Sequence, residues 1–272
     1  MRILWLGLEH ELGIENDYPV MIRNKDNYLY DEVIEFAPDL VIEREFNDGK
    51  HIWNKEIEAL KIALPNVKTA VWFIDTHVQY DRHKEYMKLF DYAFFAISKY
   101  AYEFDKFWLP VCYPLAKLQK FTEKPIYQIG FVGRWGGYYI ERTRILTLLD
   151  QIYGKDFYKV TDYKTPYQSM SKCRIMINSS FSNDMNYRVF EALGSGNLLV
   201  TNDVPDLHKI KGLEDRIFIY RSYQHILDII DGINTMDFNI RGNIEYIEQY
   251  HMLPNRINSL LHMIKSGEQE QF

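Results

Sequence analysis

The sequence is poor in cysteine and carries no dinucleotide fingerprint. Its 272 residues hold two cysteines, Cys112 and Cys173, with no C-x-x-C pair. That excludes a disulfide framework or a cysteine-ligated zinc site and points to a reducing, cytoplasmic setting. No apolar run approaches the roughly 18–20 residues of a membrane span. Met1 leads straight into R-I-L-W-L-G, which leaves no room for a signal peptide. Positive charge is not in excess: 32 Lys and Arg face 38 Asp and Glu, for a net charge of −6. That balance gives no global argument for nucleic-acid binding and speaks against a duplex partner. The segment L-E-H-E-L-G after the first apolar run lacks G-x-G-x-x-G, which excludes an NAD-binding reading there. There is no internal repeat and no low-complexity tract.

Hydrophobic side chains are present in quantity, at 47% of residues, which supplies a substantial core and excludes disorder. The 21 tyrosines and 16 phenylalanines serve core and rim packing, with some left to stack on a base or sugar. Strands are expected at residues 2–7, 40–42, 66–77, 92–97 and, briefly, 109–111. Helices are expected near 28–36, 53–63 and 82–90. After a Lys- and Pro-containing linker over 113–125 the alternation restarts. Strands then fall at 126–132, 157–160, 174–178, 198–201 and 216–220, with helices near 139–152 and 223–230. The tail over 240–264 reads as helical and interrupted near Pro254. Alternating strands and helices imply parallel βαβ units. The expected fold is α/β: two Rossmann-like, doubly wound domains over residues 1–118 and 119–272. Ligands of such sheets bind beyond the carboxyl ends of the strands.

The most informative stretch is residues 183–201, N-D-M-N-Y-R-V-F-E-A-L-G-S-G-N-L-L-V-T. It reads as a helix entered from Asn183 or Asp184, both good caps, with Val189, Phe190 and Leu193 on its apolar face. Arg188 in its second turn offers bidentate donors to a diphosphate. Glu191, three residues on, accepts hydrogen bonds from a pair of ribose hydroxyls. Phosphate and then sugar in line along one helix describes a nucleoside diphosphate. The same spacing also suits an i,i+3 ion pair on a solvated face. At other strand ends stand Gly133 and Arg134 for phosphate contact, Asp75 and His77 as a base or acceptor-orienting pair, and Glu9 and His10 for acceptor contacts. Asn183, Asp184 and Asn186, on the approach to the helix, are expected to bind the donor with Arg188 and Glu191. Tyr163 and Tyr167 are candidates for packing on a base.

Four segments together carry a family resemblance: Y-Q-I-G-F-V-G-R-W-G-G with E-R-T-R-I-L, C-R-I-M-I-N-S-S, N-Y-R-V-F-E-A-L-G-S-G-N-L-L-V-T-N, and E-Q-Y-H-M-L-P-N-R-I-N-S-L-L. Over residues 126–265 the chain resembles the GT-B glycosyltransferases, in particular the CgeB-like branch of the group 1 families. The resemblance implies two Rossmann-like domains facing across a cleft, with a C-terminal closing helix braced by His251 and Arg256. It implies sugar transfer from a nucleotide-sugar, a UDP-sugar foremost, held mainly by the C-terminal domain. By position Glu191 would hold the ribose hydroxyls, with Arg188, Gly133 and Arg134 at the diphosphate. It implies no metal and no cofactor beyond the donor, and the sequence has no D-x-D pair. Where many relatives carry a Glu eight positions before the ribose Glu, this chain has Asn183, with Asp184 beside it. The acceptor is left open among a glycan, a protein, a small molecule and a modified DNA base. An epimerase or hydrolase of the same plan, or a non-catalytic sugar-binding protein, are the alternatives.

Overall fold

The computed structural model describes residues 1–45, 53–119, 124–161, 164–234 and 238–272. The chain divides into two units, Met1–Val111 with Leu253–Gln271, and Cys112–Met252 with Phe272.

In the first unit short apolar runs alternate with helical segments, as the sequence pattern requires. The elements are β1 (Ile3–Leu6), β2 (Val20–Arg23), α1 (Tyr30–Phe36), β3 (Leu40–Glu45), α2 (Asn54–Ala63), β4 (Lys68–Phe73), α3 (Tyr80–Tyr86), β5 (Tyr92–Phe95), α4 (Ser98–Glu103) and β6 (Phe107–Trp108). They form a six-stranded sheet in the order β2-β1-β3-β4-β5-β6. Every neighbouring pair is parallel. Ile3 to Leu6, Val41, Ile42, Val71, Phe73, Phe94 and Phe95 are buried, the apolar runs of a sheet covered on both faces.

Two departures have clear causes. β3 runs past its apolar residues to Glu45 because each following charge finds a partner. Tyr86 donates to Glu43 at 2.8 Å, Arg44 pairs with Glu9, and Glu45 pairs with Arg82 and His83. β2 is a four-residue edge strand, only half-buried, and too short for its alternation to register in the sequence.

The second unit holds β7 (Tyr127–Val132), α5 (Ile140–Tyr153), β8 (Phe157–Val160), α6 (Pro166–Ser171), β9 (Cys173–Asn178), α7 (Arg188–Gly194), β10 (Leu198–Asn202), β11 (Ile217–Tyr220), α8 (Tyr223–Asn234) and α9 (Ile240–Tyr250). Its sheet reads β8-β7-β9-β10-β11, again all parallel. Ile129, Phe131, Ile175, Ile177, Leu198 and Val200 from the sheet pack with Ile145, Leu149, Ile226 and Ile230 from the helices. Both sheets share one strand order, second, first, third, fourth, fifth. The order reverses between the first and third strands, so the crevice lies at the carboxyl ends of β1 and β3 in one unit and of β7 and β9 in the other.

The expected boundary at 118/119 shifts to Val111/Cys112, and the last helix, α10 (Leu253–Ser266), joins the first unit. Polar bonds explain this: Arg256 Nε donates to the Pro110 carbonyl at 3.0 Å, and the Gln269 amide bonds both backbone groups of Trp108. His251, expected to brace the same helix, packs in the second unit on Phe190 and Tyr246. The helical tail is interrupted near Pro254 as expected: α9 ends at Tyr250, and Pro254 stands in the first turn of α10, where its missing N–H costs nothing. No helix among the described residues is long and apolar enough to cross a membrane.

Candidate functional site

The carboxyl ends of β7 and β9 gather most of the expected donor-side residues. β7 hands over to Gly133, whose N–H donates to the Val160 carbonyl and whose own carbonyl accepts from Thr161. Gly136 and Gly137 follow with φ of 82° and 56°, values an L side chain rarely adopts, and give the turn into α5. A Cβ on Gly133 would lie 3.8 Å from Arg188 Nη2, so the loop and the guanidinium are neighbours.

The helix bearing Arg188 begins later than its sequence suggests. Ser182 and Asn183 take left-handed backbone, φ 62° and 55°, which ends any helical path there. Asp184 is turned back to accept the Ser180 hydroxyl at 2.8 Å. α7 starts at Arg188 itself, whose N–H donates to Asn186 Oδ1 at 3.1 Å. Asn183 and Asp184 therefore shape the preceding loop instead of capping the helix, and Arg188 stands in its first turn. Asn186 in turn donates to Asn178 Oδ1, and Asn178 donates to Thr201. This buried chain, running from β10 through β9, fixes where α7 starts.

Arg188 Nη1 meets Glu191 Oε2 at 2.9 Å, with side chains only 18% and 11% exposed. The pair is thus largely withdrawn from water, unlike an ordinary surface i,i+3 pair. Glu191 Oε1 accepts from the Tyr167 hydroxyl at 3.4 Å, and the Tyr167 ring packs on Tyr113 with centroids 5.2 Å apart. Burial first, and then the Glu191 charge, push the Tyr167 phenol up. Tyr167 therefore supports Glu191 with its hydroxyl while its ring is buried, where the sequence suggested packing on a base. Gly194, at the end of α7, admits the Tyr113 ring: a Cβ there would stand 2.7 Å from it.

Two contributors were given no individual role from the sequence, although both lie in segments that carry the resemblance. Asn178 closes the apolar strand of C-R-I-M-I-N-S-S. Arg142, in the first turn of α5, lies in E-R-T-R-I-L, which has a second arginine, Arg144, to choose from. Arg142 Nε and Nη2 both donate to the Ser179 carbonyl, at 2.9 and 2.7 Å, and its Nη1 donates to the Arg134 carbonyl at 2.8 Å. Its guanidinium also lies 4.4 Å from the centroid of the Tyr139 ring. Burial lowers its pKa, and the Arg188 charge acts in the same direction. The Arg134 side chain is exposed beside this clamp.

The remaining candidates sit in the first unit. Asp75 and His77, both half-buried, occupy the turn after β4. Glu9, expected to meet an acceptor, is held by Arg44 and by Trp5 Nε1, the latter at 2.6 Å; His10 beside it is exposed. Tyr163 lies outside the described residues.

No protein-family model matches the sequence, and no curated protein matches it. Solved structures match in fold. Sucrose-phosphate synthase from Thermosynechococcus elongatus aligns with a TM-score of 0.58 at 10% identity, over 98% of this chain and 100% of that one. A UDP-N-acetylglucosamine 2-epimerase gives 0.52 at 9% identity, over 100% and 97%. A structure of a GtfA/B complex gives 0.50 at 12% identity over 87% of this chain, which spans 60% of the matched chain's length. These matches carry no narrower CgeB-like grouping. At such identities the likeness is one of fold, and that fold is the GT-B one, with two Rossmann-like parallel-sheet units in a single chain.

Proposed function

We propose that the protein transfers a sugar from a nucleoside-diphosphate sugar, a UDP-sugar foremost, to an acceptor hydroxyl. The observation that carries this reading is the sheltered Arg188–Glu191 pair beside the Gly133 loop, at the strand-order reversal of the second unit. Arg188 meets the diphosphate, and its charge stabilises the phosphate as it leaves with the bonding electrons of the anomeric carbon. Glu191, oriented by Tyr167, accepts from the two ribose hydroxyls. Asp75 and His77 of the first unit are the candidate acceptors for the proton of the incoming hydroxyl. In this reading no metal is needed, and chelation with EDTA leaves turnover unchanged.

Arg188→Ala and Glu191→Ala should each weaken binding of the nucleotide-sugar by about 1.5–3 kcal/mol, the scale of a hydrogen bond to a charged group. Isothermal titration with a panel of nucleotide-sugars measures this, with thermal melting as a control for folding. Unchanged affinity in both variants removes the assignment. A second reading, epimerisation of the sugar nucleotide, draws support from the epimerase match over nearly the whole of both chains. An epimerase converts its sugar nucleotide with no acceptor present; a transferase requires the acceptor.

A further inference from the structure

We propose that Arg142 is a positioning residue that makes the two loops after β7 and β9 a single anion site; this rests on the nucleoside-diphosphate reading above. The guanidinium lies between the two chain segments that diverge at the reversal point. It holds the Arg134 carbonyl, two residues beyond β7, and the Ser179 carbonyl, the first residue beyond β9. Peptide bonds here are all trans, so each captured carbonyl points its partner N–H the opposite way. The Trp135 N–H is thereby directed away from Arg142. The Ser180 N–H is directed to Asn202 Oδ1, which it meets at 2.6 Å. Arg142 thus sets the orientation of both loop peptides.

A tie between a helix and two loops needs donors but not a charge. Here the donor is a half-buried cation whose hydrogen bonds among the described residues all go to carbonyls, with the Asp184 carboxylate acting on it through its charge alone. Neighbouring Arg144, by contrast, pairs with Glu141 on the surface. A half-buried cation bonded only to carbonyls gains from an anion brought beside it. Its three bonds to carbonyls leave one N–H on each terminal nitrogen without a hydrogen-bond partner among the described residues. The second cation, Arg188, is already engaged with Glu191, and its charge adds to the burial that lowers the Arg142 pKa. Two cations drawn together against their mutual repulsion suit a ligand carrying more than one negative charge.

The test compares the intact protein with Arg142→Gln and Arg142→Lys, titrating UDP and inorganic pyrophosphate separately at low and moderate salt. Thermal melting confirms folding in each case. The glutamine keeps donors and loses the charge; the lysine keeps the charge and loses the fork. The expected result is at least tenfold weaker binding of both probes by the glutamine variant. Its affinity should also depend less on salt, because screening acts on the lost charge. The lysine variant should recover part of the loss. Glutamine and lysine variants that fall equally, with unchanged salt dependence, make Arg142 a plain structural tie and overturn the proposal. UDP binding that is intact in the glutamine variant overturns it too, leaving the donor reading in place. Pyrophosphate binding that depends on Arg142, with UDP no tighter than pyrophosphate, supports the proposal and overturns the nucleoside part of the donor reading.

Discussion

At the carboxyl ends of β1 and β3 the first unit gathers Glu9, Glu43, Arg44 and Glu45, and each meets a partner from its own unit. Arg44 faces Glu9, Tyr86 donates to Glu43, and Arg82 and His83 enclose Glu45. At the corresponding ends of β7 and β9 the second unit gathers Arg142 and Arg188. One bonds only carbonyls, and the other a single, largely buried carboxylate. The strand order is the same and the crevice lies in the same place. What differs is whether the charges there are neutralised from within. A reversal point whose charges are matched internally is spent on holding the sheet. One that leaves cationic donors over has something to offer a ligand.

The largest expected effect probes the matched side. Glu45→Ala strips a fully buried carboxylate from Arg82 and His83, and uncompensated buried charge costs about 3–5 kcal/mol. Urea unfolding should show that loss, whereas Arg144→Ala, which removes an exposed pair, should leave the urea midpoint nearly unchanged.

A second break concerns Glu43, whose pKa burial pushes up to about 8. Its folded value exceeds its unfolded one, so the folded state holds a proton the unfolded chain has released. Stability is then full below the ordinary carboxylate range and falls as pH rises towards about 8, by up to about 1.4 kcal/mol per pH unit. Glu43→Gln keeps an acceptor for Tyr86 and should flatten that slope in urea melts taken from pH 5 to 8. A slope that survives the substitution places its origin elsewhere.

The second unit offers a packing control. Gly194→Ala would press a methyl group into the Tyr113 ring and should cost about 1–3 kcal/mol of stability. Because Tyr113 carries Tyr167, and Tyr167 bonds Glu191, nucleotide affinity should fall with it. Loss of stability alone would sever that link.

The smallest effect is at His208, which bridges Glu214 and Asp203 on the surface. Hydrogen bonds donated to Glu214 and then to Asp203 raise its pKa, so the bridge stabilises below the ordinary histidine value and is lost as pH rises through the raised one. Exposure keeps this to a fraction of about 1 kcal/mol, readable as the His208→Gln difference in melting temperature between pH 5.5 and 8.

Helix and strand order was legible because apolar runs such as I-L-W-L and I-M-I-N are buried on both faces whatever they pack against. The start of α7 was not, since Asn183 and Asp184 are equally good caps and good turn formers. The choice fell to Asn178 and Thr201, which are distant in sequence and hold Asn186 in place. Arg142 and Arg144 illustrate the same limit: two arginines two residues apart on one helix, one facing carbonyls and the other solvent.

What the sequence determined by itself was local: which segments are strands, which are helices, and that Arg188 and Glu191 share a helical face. The tertiary structure decided which charges are neutralised. Counter-ions such as Arg82 for Glu45 or Glu9 for Arg44 come from segments far along the chain, and no local pattern records their approach. Burial then sets what each charge is worth, because a group withdrawn from water depends on the few partners the fold brings to it.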